Sequence, residues 1–500
     1  MGNQIIFNRG QGGLGRPLAG EDYISGLLFY TSALPSGFSS NGRIKQVFSI
    51  EEAENLGITN THIGETKATG TITVTGAGVA GDTIETKVNN GVSMISIGTA
   101  TVPATPTTTT VAAAIVSAIN AGTTTHGYTA SNLSAVVTLT APAGTGVGAN
   151  SYVISNVIVG TATTSLVQFS GGVASFIDVM HYQIDEYFRV QPSGNLYVGI
   201  YAVPVSYTFD EVVTMQNFAQ GKIRQIGTYV TSTAFSTTHL TSLQAQATAC
   251  EAQNTPLSII HQGDFSAVTD LSTLSDLRAL SNKNVSATIG QDYAGTGASL
   301  YKALGKSIGC LGTTLGAVSL SSVAESIAWV GKFNVANVEF DELAIANGTN
   351  YRTLSNSLIN NIDLKGYIFL RKHQGVDGSY FNSSATAIAT SSDFSTIFNN
   401  RTIDKAIRNM RAFLLPALSS PIKVNSNGTL SEDSIGYFES LAKRALEQME
   451  RDNELSAYSV TINPAQNVLA TSKITLAVSL VPVGVADVIE VNVSFTTQIA

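Results

Sequence analysis

The chain has 500 residues, 43% of them apolar and only 12% charged, and a net charge of −8. That length allows about two to four domains with sizeable cores, and the charge share is about half the usual one, with Gly, Ala, Ser and Thr making up the difference. The acidic balance and the lack of a basic block argue against nucleic acid as a partner, no run of about 18 apolar residues is present to insert into a membrane, and a surface so poor in charge reads as one covered by other subunits.

The first segment, "NQIIFNRGQGGLGRP", carries Gly10, Gly12 and Gly15 in a G-x-G-x-x-G spacing behind Ile5, Ile6 and Phe7. A dinucleotide site needs a helix after the glycines and an acid about 20 residues on. Here Arg16-Pro17-Leu18-Ala19-Gly20 has no helical period, Glu21 and Asp22 come too early, and the next acid is Glu51. Residues 1–20 therefore read as an extended N-terminal arm, a short strand on a glycine tether, with no cofactor. The arm lacks the charged and apolar regions of a signal peptide, and Ile6 stands where myristoylation needs Ser or Thr.

Residues 21–66 together with 173–345 read as an α/β region. In "FSIEEAENLGI", Ser49 and Glu52 form a capping box and Gly57 ends the helix. Residues 67–172 are rich in Thr, Val, Ala and Gly and nearly free of charge. They read as an inserted, mostly β domain with one helix, "TTVAAAIVSAINAG", set on the outer surface. "FIDVMHYQIDEYFRV" puts Phe176, Met180, Ile184 and Tyr187 on one helical face. From 195 to 290, strands alternate with helices, including a helix over "AVTDLSTLSDLRAL", which implies βαβ crossovers and a Rossmann-like, mainly parallel sheet. Residues 292–345 read as helical and close-packed, and 346–500 as a last α+β unit. In that unit Thr402 starts a helix that Pro416 stops, Ser431 caps a longer helix, and two strands close the chain.

Catalytic patterns fail one by one. Gly305-Lys306-Ser307 resembles the end of a P-loop, but Leu300 stands where the first glycine belongs, and the segment reads as packed helix. None of His62, His126, His181, His239, His261 and His373 has another histidine three to five residues away, so zinc spacing is absent. His261 is placed at the carboxyl edge of the sheet, with Asp264 nearby, as the best enzymatic candidate. Cys250 and Cys310 read as small core residues with no disulfide. "GVDG" at 375–378 reads as a β-turn, since one Asp cannot supply a metal loop. No catalytic, cofactor-binding or metal residues are assigned, and the chain is read as no enzyme.

Ile489, Val491, Val493 and Phe495 alternate with Glu490, Asn492, Ser494 and Thr496, a strand with one face meant for burial. Burying four such side chains gains roughly 6–12 kcal/mol. Fixing about eight backbone residues costs roughly 8–16 kcal/mol before hydrogen bonds. The segment is near balance alone and gains a ladder at the edge of a waiting sheet. With "QIIF" at the other end, such arms can link chains head to tail into rings or helical filaments. Pairing of both arms within their own subunit stays open.

"NNRTIDKAIRNMRAFLLPAL", "NGTLSEDSIGYFESLAKRALEQM" and "ELSAYSVTINPAQNVLATSKITLAVSLVPVGVADVIEVNVSF" resemble the C-terminal assembly domain of contractile tail sheath proteins of bacteriophages and related contractile injection systems. "GQGGLGRPLAGEDYISGLLFY" and the stretch from "GKSIGCLGTTLGA" to "IAWVGKFN" are similar to one phage branch, and the insert is similar to small β domains of phage tail proteins.

The resemblance implies a multidomain α/β and α+β virion structural protein whose subunits stack as hexameric rings around an inner tail tube and contract to drive it through a host envelope for genome ejection. It implies baseplate and tail terminator proteins as partners, and assembly in the host bacterial cytoplasm. It also implies strand exchange through Ile5, Ile6, Phe7, Ile489, Val491, Val493 and Phe495, and a tube-facing helix on which Lys443, Arg444 and Glu447 make polar contacts. The alternatives are the sheath of a headless injector, a Rossmann-like oxidoreductase or hydrolase on residues 190–290, and an adhesin or surface-layer protein. The absent acid after the glycines counts against the enzyme, and the missing secretion signal against the adhesin.

Overall fold

Seven consecutive residues of β1 (Ile24–Tyr30) are buried, which marks a strand covered on both faces. The computed structural model, which describes residues 22–491 and 493–495, shows a mixed α/β architecture with several sheets. The largest sheet uses β1, β2 (Ile44–Val47), β3 (Asn195–Tyr201), β4 (Gln225–Ala234), β5 (Ser258–Asp264), β6 (Val285–Thr288) and β7 (Tyr367–Ile368). Its order is β7-β6-β5-β4-β1-β3-β2, parallel throughout except for β2. Short helix Ile50–Asn55 follows β2. Ser49 accepts its Glu52 N–H, while Glu52 reaches back to Phe48 N–H, one residue before the cap.

Each face of this sheet buries one core. Helices α1 (Phe176–Val190), α2 (Thr237–Ala252), α3 (Thr296–Leu304) and α4 (Leu311–Leu320) flank it. Leu240, Leu243, Ala247 and Cys250 of α2 pack with Ile226, Ile259 and Val285 on one face. Ile184 and Tyr187 of α1 pack with Leu311 and Leu315 of α4 against Leu27, Val198 and Ile260 on the other. The α1–α4 crossing is too close for a larger residue: a Cβ on Gly312 would sit 2.0 Å from the Gln183 carbonyl oxygen. Eleven of the fifteen residues of α1 are buried, so the helix is covered well beyond one stripe.

The helix expected over "AVTDLSTLSDLRAL" is replaced by two 3₁₀ turns, Leu271–Thr273 and Leu277–Ala279. The Asp270 and Asp276 side chains accept the N–H groups two residues on, which competes with a continuous helix. Leu271, Leu274 and Leu277 are all buried at a spacing of three, the period of a 3₁₀ turn. The segment around Gly305 also differs from the packed helix expected there. Gly305 takes φ +66° and ends α3, so Lys306 and Ser307 lie in the break before α4.

Residues 69–170 form a four-stranded and a three-stranded antiparallel sheet around helix Thr108–Ala121. Ile72, Ile84, Val88, Ile115, Leu139 and Phe169 close a core of their own. The chain leaves and returns side by side: Thr66 and Val173 exchange two backbone hydrogen bonds of 2.9 and 2.8 Å. The turn Gly146–Ser151 lies against the end of α3, where a Cβ on Gly146 would meet the Ala303 carbonyl oxygen at 2.4 Å.

The last unit holds α5 (Ile397–Leu414), α6 (Glu432–Arg451), and the hairpin β8 (Leu455–Ile462) and β9 (Leu476–Pro482). Helix α5 begins at Ile397, five residues before the expected Thr402, with Thr396 capping the Asn399 N–H. Asn399 and Asn400 are poor helix formers, and tertiary contacts carry them: Asn400 donates to the Lys283 and Phe394 carbonyls. Ser431 caps α6 at the Ser434 N–H. The second closing strand is not formed among the described residues of 483–495, because no ladder partner stands beside it.

Candidate assembly surface

The residues that could have carried chemistry are committed to structure. His261 sits inside β5, not at the sheet edge, and is fully buried, with Nδ1 2.9 Å from Thr228 Oγ1. Burial, with His239 beside it, pushes its imidazole down to about 3, which leaves it neutral. Asp264 is bound to Lys306 Nζ at 2.9 Å and accepts the Ser307 N–H. Ser307 Oγ donates to the Ala346 carbonyl and accepts the Phe265 N–H. Backbone N–H groups at the start of α3 are taken by carboxylates: Asp292 accepts from Gly295 and Ala298, and Glu339 from Thr296 and Gly297. Among the described residues no group of three His, Cys, Asp or Glu could hold a metal, and no helix is long and apolar enough to cross a membrane. The Gln374–Gly375 turn joins two short strands, so Asp377 of "GVDG" lies in a strand and not at a turn apex.

The C-terminal hairpin is different. β8 and β9 form a sheet of only two strands, packed through Leu455, Val460, Val478 and Leu480 on Ala442, Leu446 and Met449 of α6. Leu476, Val478 and Leu480 stay only half-buried. Both outer edges lack a strand among the described residues. One end of the β8 edge is occupied by a side chain: Ile462 N–H donates to Glu439 Oε1 at 3.2 Å.

Beyond β9 the chain runs out past Gly484 with no strand partner among the described residues. Val488, Ile489, Val491, Val493 and Phe495 are 73–107% exposed, so the expected burial face is complete in sequence and uncovered here. Ile5, Ile6 and Phe7 lie outside the described residues. Lys443 pairs with Glu439 at 3.2 Å and Glu447 with Arg451, each one turn apart along α6. Arg444 leans the other way, its guanidinium 6.0 Å from the Phe413 ring of α5.

A charge cluster joins this unit to the α/β body. Lys405 Nζ lies 2.8 Å from Asp22 Oδ2 and 2.6 Å from Glu454 Oε1, and Arg408 reaches Asp22 Oδ1 at 2.8 Å. Arg401 donates to the Ser321 hydroxyl and carbonyl, the Ser322 carbonyl and the Asp22 carbonyl. Burial alone would raise the Asp22 carboxyl, but Lys405 and Arg408 outweigh it and hold it below the usual range. Burial raises Glu454 despite Lys405, and raises the neighbouring Asp404 to about 7. Sequence reasoning missed these residues. The signal was present: Arg401, Lys405 and Arg408 are spaced i, i+4, i+7 on one face of α5.

The solved structures to which the chain is similar include contractile sheath proteins. One is the helical sheath of the anti-feeding prophage in its contracted state, at 15% identity, covering 63% of this chain and 81% of that one, with a TM-score of 0.44. Another is the sheath complex of an extracellular contractile injection system (PVC), contracted, at 13%, covering 64% and 80%, with a TM-score of 0.42. A third is a sheath tail protein from Listeria innocua, at 11%, covering 92% and 94%, with a TM-score of 0.38. No curated protein matches the chain. Family models described as the DUF2586 N-terminal domain and the DUF2586 C-terminal domain match residues 3–385 and 393–500. Between them they take in nearly the whole sequence, and the chain belongs to the DUF2586 family.

Proposed function

We propose that this chain is the structural subunit of a contractile tail sheath, polymerising as stacked hexameric rings around an inner tube and contracting to drive that tube through a host envelope. The observation that carries this reading is the C-terminal hairpin. Among the described residues, two strands with neither outer edge paired sit beside a tail whose alternating apolar residues are exposed. Strands donated by neighbours complete such a sheet and cover such a tail, and a heterologous link of that kind propagates into rings or filaments. The sequence resemblance over residues 400–496 supports the same role.

In this reading Ile489, Val491, Val493 and Phe495 add to a neighbour's hairpin, as do Ile5, Ile6 and Phe7 from the other end. Residues 67–172 decorate the outside, and α6, which carries Lys443, Arg444 and Glu447, turns toward the tube. The particle is a phage tail, built in the bacterial cytoplasm with baseplate and terminator proteins; a headless injector would use the same subunit. No bond-making step is required. Contraction draws on free energy stored in subunit contacts.

Negative-stain electron microscopy of the purified full chain tests the reading, with tubes or short stacked rings as the expected result. A protein that stays monomeric at high concentration overturns it. Deleting residues 486–500 is expected to abolish the tubes and leave a folded subunit; tubes that persist overturn the donated-strand element.

A further inference from the structure

The two ends of the large sheet differ in charge. At the amino end, Asp22, Arg224 and Lys283 stand just before β1, β4 and β6, and α5 of the C-terminal unit reaches Asp22 through Lys405 and Arg408. The carboxyl end is uncharged. Residues 31–42 after β1, 202–209 after β3, and 231–250 from the end of β4 through most of α2 contain no Asp, Glu, Lys or Arg. The charges that border these loops form a rim, and each has a partner. Arg43 donates to the Ile200 carbonyl, Asp210 accepts from Gln246, and Glu211 accepts the Tyr30 hydroxyl. A centre depleted of charge inside a polar rim is the anatomy of a protein–protein interface. Val205 at this end is fully exposed, and Val203 and Leu34 are more than a third exposed. Over 31–42, 202–209 and 232–238, 22 residues are at least partly exposed. A specific interface uses roughly 20–30 residues a side.

A matching surface lies on the inserted domain. Residues 67–172 hold only four charged residues, Lys67, Asp82, Glu85 and Lys87. On the outer strand Val153–Val159 of its three-stranded sheet, Val153, Val157 and Val159 share one face and are 45–67% exposed. Met94 stands in the same row as Val153, two strands across. Glu85 and Lys87, in register with Val157 and Ser155, neutralise each other at 3.1 Å. Neither surface carries a net charge, so burying one against the other strands no ion away from water. Both are bare in the single chain, whose insert is already seated on the end of α3 through the turn Gly146–Ser151. A second copy brings them together.

Resting on the sheath reading, we infer that the uncharged carboxyl end of one copy's large sheet docks on the valine-bearing strand Val153–Val159 of a second copy's insert. The contact is heterologous: each copy offers one surface and receives the other, so the link passes from copy to copy. It lies at the opposite end of the sheet from the C-terminal unit, so neighbours are joined at both ends of the subunit and not through the hairpin alone.

Cross-linking between two full-length chains tests this, one carrying Val205→Cys and the other Val159→Cys, both at exposed positions. The native Cys250 and Cys310 do not compete, being buried, with burial pushing their thiols up to about 11. The two chains are co-assembled and treated with a short bismaleimide, and products are read on denaturing gels and by digest mass. The expected result is a mixed dimer in tubes that neither chain gives alone. A dimer from the Val205→Cys chain alone shows two carboxyl ends face to face and overturns the insert as occupant. Tubes without the mixed dimer overturn the contact and leave the sheath reading standing. A parent chain that forms no tubes counts against the sheath reading; the same mixture is then cross-linked at high concentration, where a mixed dimer supports the contact and its absence overturns it. Val205→Asp gives a second measure. Its side chain touches no core, so the melting temperature is expected to stay unchanged while the protein concentration needed for tube growth rises about tenfold or more. An unchanged threshold overturns the contact.

Discussion

Lys405 Nζ bridges Asp22 at 2.8 Å and Glu454 at 2.6 Å, so a single α5 side chain ties the start of the α/β body to the start of the C-terminal hairpin. All three groups are mostly buried. Removing the ammonium leaves two carboxylates facing each other without a cation between them. Lys405→Met is expected to destabilise the protein by about 2–4 kcal/mol, read as a lower urea midpoint. Lys405→Arg, which keeps the charge, is expected to lose less than half of that.

Asp404 gives a pH dependence of known sign. Its folded value, about 7, lies above the ordinary carboxylate value of 3.8, so between the two the native state holds a proton that the unfolded state has released. Stability contributed by this group is present at low pH and is lost as pH rises from about 4 to about 7. Arg408, Lys283 and Arg224 favour its charged form, while burial and Glu251 oppose it. Asp404→Asn is expected to gain about 2–4 kcal/mol over the parent at pH 8, and to lose that advantage near pH 4. Urea titrations at the two pH values measure it.

Asp22 has the opposite sign. Its depressed carboxyl contributes stability above the unfolded value, and that contribution is lost as pH falls through the folded one. Asp22→Asn is expected to lower the urea midpoint at pH 7 and to converge with the parent in strong acid.

Two glycines separate packing from propensity. Gly312→Ala forces a Cβ to 2.0 Å from the Gln183 carbonyl, and is expected to cost about 2–4 kcal/mol by pushing α1 and α4 apart. Gly436, inside α6, has nothing within 4 Å of the same position, and Gly436→Ala is expected to stabilise by about 1 kcal/mol. Thermal melts of the two variants are expected to move in opposite directions.

The exposed tail separates folding from assembly. Ile489 and Val493 touch no core, so Ile489→Asp and Val493→Asp are expected to leave the subunit's melting temperature within the range of about ±0.5 kcal/mol typical of surface changes. The same variants are expected to abolish tubes in electron micrographs. A tail variant that melts early would show that the tail belongs to the subunit's own fold.

The sequence by itself determined the periodic elements. Helix α1 and the Ser431-capped α6 follow from a local period of 3.6 and from capping chemistry, which act over a few residues. Tertiary structure decided what local preference leaves undetermined. Leu271, Leu274 and Leu277 fit a helix face by count, yet two Asp turns and the core beneath select 3₁₀ geometry. Asn399 and Asn400 hide the true start of α5, because their helix is held by contacts to Lys283 and Phe394, distant or non-helical in sequence. His261 looked placed for chemistry until the sheet enclosed it. The bridge from Asp22 through Lys405 to Glu454 joins Asp22 to residues hundreds of positions away. A sequence shows the three charges, but only folding brings them within reach of one another, because burial and pairing depend on the whole chain's path and not on its local composition.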